Sequence, residues 1–325
     1  MKVSIALTVY RGEEFLEVQL ASLGEQTRKP DEVIITDDSP DRSLESLIVD
    51  CAARFGLPIS YHYNETNLGS TRNFEKALSL TTGDVVFFCD QDDRWFPDKI
   101  AKALAAFERD PALLVVMNDA EFTDNELTPL GTTKIGQMRR AGIREEAFVM
   151  GCCAAMRREL VDIALPLPDG VTHDHWLVGF GDTLGATLRE HEVRQLYRIH
   201  EKNVSKDFFV NAEPGHSATR LGWEKVRRRV ANYRSSDNLM RDYAFFSRVM
   251  RRAEERGLAA DNRFAANLAK ASQRLRQLEH RLSLRASNPA SRLASLLRKG
   301  LGDYERPSQI AKDLLASRID KGAVG

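Results

Sequence analysis

Val85-Val-Phe-Phe-Cys-Asp-Gln-Asp-Asp-Arg-Trp-Phe-Pro-Asp98 is the stretch on which the reading of this chain turns. Its apolar run predicts a strand buried on both faces, which stops abruptly at the acidic loop Asp90-Gln-Asp-Asp93. Carboxylates one residue apart at a strand end can hold a hard divalent cation, which in turn bridges diphosphate oxygens. Such an ion neutralises charge on a departing nucleotide, so a sugar–phosphate bond can break at neutral pH. Asp93 is open to a second reading, as a cap for the helix predicted over Asp98–Asp110.

Toward the N-terminus the same alternation repeats. Val3–Val9 predicts a first buried strand; only Lys2 precedes it and no small-residue cleavage site follows, unlike a signal peptide. Phe15, Leu16, Leu20 and Leu23 recur at helical spacing. Val33–Thr36 predicts a second strand that ends in Asp37-Asp38, and Leu44, Leu47, Ile48, Cys51 and Ala52 predict a second helix. Ile59–Tyr63 predicts a third strand, and Asn67-Leu-Gly-Ser-Thr-Arg-Asn73 opens a helix reaching about Leu80. Strands alternating with helices predict a parallel sheet with covering helices. Polar residues gather where strands end, at Thr8/Tyr10, Asp37/Asp38 and Asp90/Asp92. Open parallel sheets bind ligands outside the carboxyl ends of their strands, so three polar strand ends mark one site.

Toward the C-terminus, Leu113–Asn118 predicts a strand, and the polar, Gly-rich Asn125–Glu146 a long loop or hairpin over the site. Cys152–Met156 predicts a strand, Glu159–Ala164 a short helix, Asp174–Leu188 a helix and Val193–His200 a last strand. Near Pro214-Gly215 the pattern gives way to Arg-rich amphipathic stretches, which predicts domains at 1–215 and 216–325. The 325 residues carry no net charge, yet Arg220–Lys299 holds 20 Lys/Arg against 7 Asp/Glu. A basic module of this kind, with Lys225-Val-Arg-Arg-Arg229 and Arg251-Arg252, suits an interfacial helix on an anionic membrane, a solvated face, or docking onto the acidic domain. Nucleic acid is not expected, because interleaved aromatics and a recognised module are missing. No stretch reaches the apolar length of a membrane span. Cys51, Cys89, Cys152 and Cys153 show no paired spacing, and are expected as buried thiols in a reducing cytoplasm.

Several segments appear in a familiar order: Ser4–Tyr10, Leu20–Thr27, Pro30–Ser39, Asn67–Asn73, Gly83-Asp84 and Asp90–Asp98. In these the chain resembles the family 2 glycosyltransferases with the GT-A fold, closely over residues 1–120, more thinly to about 205, and not beyond. The resemblance implies an α/β fold, Rossmann-like with a mixed, mostly parallel sheet, here followed by an α-helical domain. It implies that Thr8 and Tyr10 line the base pocket, that Asp38 reads the base edge, and that Arg72 is a donor-pocket arginine. It implies that Asp90, Gln91 and Asp92 meet the donor diphosphate, with Asp92 the direct ligand of Mn2+ or Mg2+.

An inverting transfer needs a base on the face opposite the nucleotide. The resemblance puts it in Thr172-His-Asp-His-Trp-Leu177, which points to Asp174, with Asp169 and Asp182 as alternatives; plain helix capping explains an Asp there too. His200, in Tyr197-Arg-Ile-His-Glu-Lys-Asn-Val-Ser205, stands either as a late metal ligand or as a structural histidine. Trp95 and Trp176 either line the sugar pocket or pack in the core; His173 and His175 have no assigned role. Asn203-Val-Ser205 matches a glycosylation sequon, discounted without a secretory signal. The expected function is inverting transfer from a UDP- or dTDP-sugar to a glycan or lipid-linked glycan in O-antigen- or capsule-like synthesis, in the cytoplasm or peripherally at the inner membrane face. The string and transmembrane helices of processive relatives are missing, so addition of one or a few residues is expected. A catalytically silent nucleotide-sugar binder or membrane scaffold is one rival. A sugar nucleotidyltransferase is the other, although Thr8-Val-Tyr-Arg-Gly12 is not its phosphate loop.

Overall fold

The computed structural model describes residues 1–201, 203, 236–299, 304 and 307–316. The chain divides into two compact units, Met1–Phe209 and Val210–Gly325. The boundary expected near residue 215 and the basic string Lys225–Arg229 lie outside the described residues.

The first unit is built on one mixed nine-stranded sheet. Strands β1 (Val3–Val9), β2 (Glu32–Asp37), β3 (Ile59–Tyr63) and β4 (Val85–Cys89) run parallel in the order β3-β2-β1-β4. Helices α1 (Leu16–Gly24), α2 (Glu45–Phe55) and α3 (Ser70–Leu80) connect them. All five residues of β4 are buried, as its unbroken apolar run requires. Leu16, Leu20 and Leu23 of α1 and Ile48 and Cys51 of α2 join one hydrophobic core with Val3, Ile5, Leu7, Val33, Ile35 and Phe87.

Past β4 the sheet continues through short β5 (Arg94–Trp95), β6 (Val115–Thr123), β7 (Pro129–Thr133), β8 (Ala154–Arg157) and β9 (Thr187–Arg198). Here β8 pairs antiparallel with β4 and β6, while β6 and β9 are parallel. Helix α4 (Lys99–Arg109) follows β5, α5 (Lys134–Arg140) follows β7, and α6 (Arg158–Ala164) and α7 (His173–Leu184) separate β8 from β9. Two sequence boundaries shift. The loop or hairpin expected over 125–146 is in part a hairpin, since β7 pairs antiparallel with β6, but it also contains α5, capped by Thr133 Oγ1, which accepts from the Gly136 N–H at 3.1 Å. The last strand starts at Thr187, not Val193, because α7 ends early. Gly185 takes a left-handed φ of 69° and closes the helix, a conformation that favours glycine.

In the second unit the described residues form helices α8 (Asp237–Glu255), α9 (Ala265–Ala286), α10 (Pro289–Lys299) and α11 (Pro307–Leu315). Leu239, Leu278 and Leu282 make a small core with Met240, Tyr243 and Phe246. Beside them Asp313 is buried among arginines. Arg281 Nε and Arg285 Nε each donate to its carboxylate at 2.7 Å, and Arg292 Nη1 donates to its carbonyl at 3.2 Å. Part of the basic surplus read from the sequence is therefore internal, and not on a solvated or membrane-facing surface. Among the described residues no helix is long and apolar enough to cross a membrane.

Candidate active site

The sheet register aligns three strand ends. Val9 pairs with Asp37, and Leu7 with Cys89, so the loops that begin at Tyr10, Asp38 and Asp90 leave the sheet side by side. A cleft of about 1110 Å³ opens outside them. Each residue singled out for donor, metal or base lines it: Thr8 and Tyr10 after β1, Asp38 after β2, Arg72 on α3, Asp90 to Asp92 after β4, Asp174 on α7 and His200 after β9. The alternative bases Asp169 and Asp182 do not. Asp169 is exposed and paired with Arg72, while Asp182 takes two 2.8 Å hydrogen bonds from Arg189.

The acidic loop is tied from several sides. Gln91 Nε2 donates to the Tyr10 carbonyl at 3.1 Å, and its Oε1 accepts from the Tyr10 N–H at 2.9 Å. Its amide thus links two of the loops that line the cleft. Arg198 Nε donates to the Asp92 carbonyl at 2.9 Å, and His200 Nε2 lies 2.8 Å from Asp92 Oδ2. Burial first, then the charges of Asp92 and Asp174, push the Asp90 carboxyl up to about 7. Asp174 therefore shares one electrostatic field with Asp90 and Asp92, more than 80 positions earlier in the chain.

Asp38 Oδ1 accepts from Asn64 Nδ2 at 2.6 Å and from the Leu68 N–H at 3.1 Å, which locks β2's end to the loop before α3. Arg72 lines the cleft, with its guanidinium engaged by Glu75, Asp169 and the Leu167 carbonyl. Asp174 lies in the first turn of α7, where Oδ1 accepts from Thr172 Oγ1 at 2.5 Å and the His175 N–H at 2.8 Å. Burial would raise its pKa, but these bonds and the neighbouring histidines win and hold the carboxyl well below the usual range. The helix-end role and the cleft-facing role therefore coexist in one side chain.

Residues 4–163 match the model of the Glycosyl transferase family 2. Over this segment the chain is a family 2 glycosyltransferase domain. The amylovoran biosynthesis glycosyltransferase AmsB of Erwinia amylovora is 35% identical over 107 residues, 33% of this chain and 36% of that protein. The abequosyltransferase RfbV of Salmonella typhimurium is 31% identical over 103 residues, 31% of each chain. The chain thus spans about a third of the length of these curated relatives. The mannosyltransferase PcManGT from Pyrobaculum calidifontis, solved with GDP-Man and Mn2+, superposes with a TM-score of 0.52 at 17% identity, over 97% of this chain and 84% of that one. S. aureus TarS 1-349, solved with UDP-GlcNAc, gives 0.51 at 15% identity, over 97% and 90%. At such identities the likeness is one of fold.

Beneath the acidic loop the family 2 domain holds a polar network that no sequence pattern announced. Asp93 is fully buried and accepts from Gln195 Nε2 at 2.8 Å; it caps no helix, and Asp98 occupies that position for α4. Lys99, also buried, donates to the Cys152 carbonyl at 2.6 Å and to Gln195 Oε1, and lies 3.8 Å over the Trp95 ring. Trp95 and Trp176 are core residues and do not line the cleft. All four cysteines are buried free thiols. Asn203 is buried, with its amide bonded to the His200 N–H and the Arg198 carbonyl, so it is no glycosylation acceptor in this fold.

Among the described residues one group of three side chains could hold a metal ion. Asp90, Asp93 and Cys152 bring ligand atoms within 4.8 Å of one another. Cys152 is a soft ligand, however, and its Cys153 neighbour and burial push the thiol up, so it stays protonated. Gln195 also bonds both Asp93 and Cys152. Asp90 and Asp92 line the cleft with carboxylates of the kind a hard cation takes, and the His200 imidazole lies beside Asp92.

Proposed function

We propose that this chain is an inverting, metal-dependent glycosyltransferase that moves a sugar from a UDP- or dTDP-donor to a hydroxyl of a cell-surface polysaccharide precursor. The observation that carries the reading is the convergence in one cleft of Asp90 and Asp92, at the end of β4, with Asp174, at the start of α7. In this reading Thr8, Tyr10 and Asp38 hold the base, and Asp90 and Asp92 face the diphosphate, with His200 as a further ligand. Mn2+ or Mg2+, when bound there, neutralises charge on the departing nucleotide.

Asp174 takes the proton of the acceptor hydroxyl as that oxygen attacks the anomeric carbon. Its bonds from His175 and Thr172 keep it ionised and aimed before the acceptor arrives. With base and leaving group on opposite faces of the sugar, a single displacement suffices and no covalent intermediate is needed. The names of AmsB and RfbV, one tied to amylovoran biosynthesis and the other to abequose transfer, support a surface-polysaccharide role. A cytoplasmic site of action on a glycan or lipid-linked glycan, with peripheral membrane contact through the basic helices, belongs to the same proposal.

The test is thermal stabilisation of the purified protein by a panel of nucleotide sugars with and without Mn2+, followed by donor turnover. A UDP- or dTDP-sugar should raise the Tm in an Mn2+-dependent way and be consumed slowly. Saturable binding with no turnover supports the silent binder instead, and no response to any nucleotide sugar removes the reading.

A further inference from the structure

His173 has no part in the mechanism above, yet it lines the same cleft. It is buried in the cleft wall on the first residue of α7, immediately before Asp174. Its ring stacks on Phe74 of α3 at 4.0 Å and meets the edge of Phe88 at 4.9 Å, two residues before Asp90. Phe74 and Phe88 are themselves buried, so the imidazole is fixed between the helix of the nucleotide side and the strand of the acidic loop.

An apolar ring would fill this space without burying a bare nitrogen. Instead Nδ1 is buried with no hydrogen-bond partner. A buried N–H lacking an acceptor is the rarer and costlier orphan, which assigns the proton to Nε2. The Nε2 edge runs beside Gly151, which also lines the cleft. A Cβ built on Gly151 would lie 3.1 Å from Nε2 and 3.4 Å from the Asp174 Cβ, so glycine leaves that edge open.

We infer that His173 is a specificity residue that donates a hydrogen bond from Nε2 to a hydroxyl oxygen of the transferred sugar. This rests on the function proposed above. In a single displacement the reacting sugar must lie between the diphosphate at Asp90/Asp92 and the base at Asp174; His173 immediately precedes that base and packs on Phe88, two residues before Asp90. Burial pushes the imidazole down to about 4, so it is uncharged at neutral pH and suited to a neutral sugar rather than to a phosphate.

The test compares His173→Phe, which keeps the stack, with wild type. Isothermal titration in Mn2+ would use UDP, dTDP, UDP-GlcNAc, UDP-glucose and dTDP-glucose, then deoxy analogues of the sugar that binds best. Wild type should bind the nucleotide sugar more tightly than its bare diphosphate. His173→Phe should lose about tenfold on the sugar while its diphosphate affinity holds within twofold. One deoxy position should weaken wild type and leave His173→Phe indifferent. Gly151→Ala, which crowds the Nε2 edge while keeping the imidazole, should repeat the sugar-specific loss even if His173→Phe does not fold. Equal losses for sugar and diphosphate, or an intact sugar increment in both variants, overturn the inference alone. Absence of nucleotide binding in wild type overturns the proposed function, and this inference with it.

Discussion

Two clusters of charged side chains, one in each unit, are in opposite electrostatic states. In the helical unit Asp313 is enclosed by opposite charge: Arg281 and Arg285 bond its carboxylate, and Arg292 bonds the Asp313 and Ala316 carbonyls at 3.2 and 2.6 Å. In the sheet unit burial destabilises the charged form of Asp90, and the like charges of Asp92 and Asp174 add to that effect. A buried pair that is fully bonded holds helices together. A cluster of carboxylates in a cleft is costly to the fold, and such unrelieved charge marks a place where a cation or a reaction supplies what is missing. In composition the two look alike, as acidic and basic residues in a chain of zero net charge. What separates them is whether the partner is built in.

The largest test of that contrast removes charge from the cleft. Asp174→Asn should lower transfer by about 10²–10⁴-fold, the usual contribution of general-base catalysis. Nucleotide binding should survive in this variant. Asp92→Asn should cost as much turnover and should also weaken Mn2+-dependent nucleotide affinity. Steady-state rates and titrations of the two variants check this split; wild-type transfer by Asp174→Asn would move the base elsewhere.

The helical cluster should answer with stability instead. Asp313→Ala leaves guanidinium groups buried without their carboxylate, which costs about 3–5 kcal/mol when one partner of a buried ion pair is removed. Loss of helical signal at lower denaturant concentration would report it. An unchanged unfolding midpoint would show that the arginines are solvated.

How far these clusters were legible depends on how local their signals are. The four parallel strands followed from short apolar runs, and the acidic loop from its place at the end of one. The roles of Trp95 and Trp176 did not, because an aromatic after an acidic cluster has the same pattern whether it faces a ligand or the core. Lys99 bonds partners 53 and 96 positions away, so no window along the chain relates it to Cys152 or Gln195. Asp93 looked like a capping residue for the same reason. Arg281, Arg285 and Arg292 read as a basic surface, since helical spacing does not reveal the carboxylate supplied by Asp313, 32 positions beyond Arg281. The early start of β9 was readable in principle, from Gly185 as a helix terminator.

A smaller effect lies at the border of the cleft. His173 is neutral in the fold, with a pKa of about 4 against an ordinary 6.5. The unfolded chain therefore takes up the proton first. The histidine's contribution is whole above pH 6.5 and is lost as pH falls toward 4, by on the order of 3 kcal/mol. His173→Phe should flatten this part of the acid dependence in denaturant titrations between pH 7 and 4.5. The same slope in both proteins would place the acid sensitivity in other groups whose pKa the fold lowers, such as His62, which burial pushes down.

The smallest expected change has the sign that divides the two clusters most clearly. Replacing Asp90 by Asn keeps the shape of the side chain and deletes one of the mutually repelling charges. In metal-free protein this should raise the melting temperature, by a gain of about 1 kcal/mol, while Mn2+-dependent nucleotide binding falls. Relief of strain at a functional site at the expense of activity is the trade-off that such sites display. The equivalent neutral change in the helical unit, Asp313→Asn, should destabilise, because its charge is already matched by Arg281 and Arg285. If Asp90→Asn also lowers the melting temperature, the cleft carboxylates are as well partnered as Asp313. The case for a cation between them then fails.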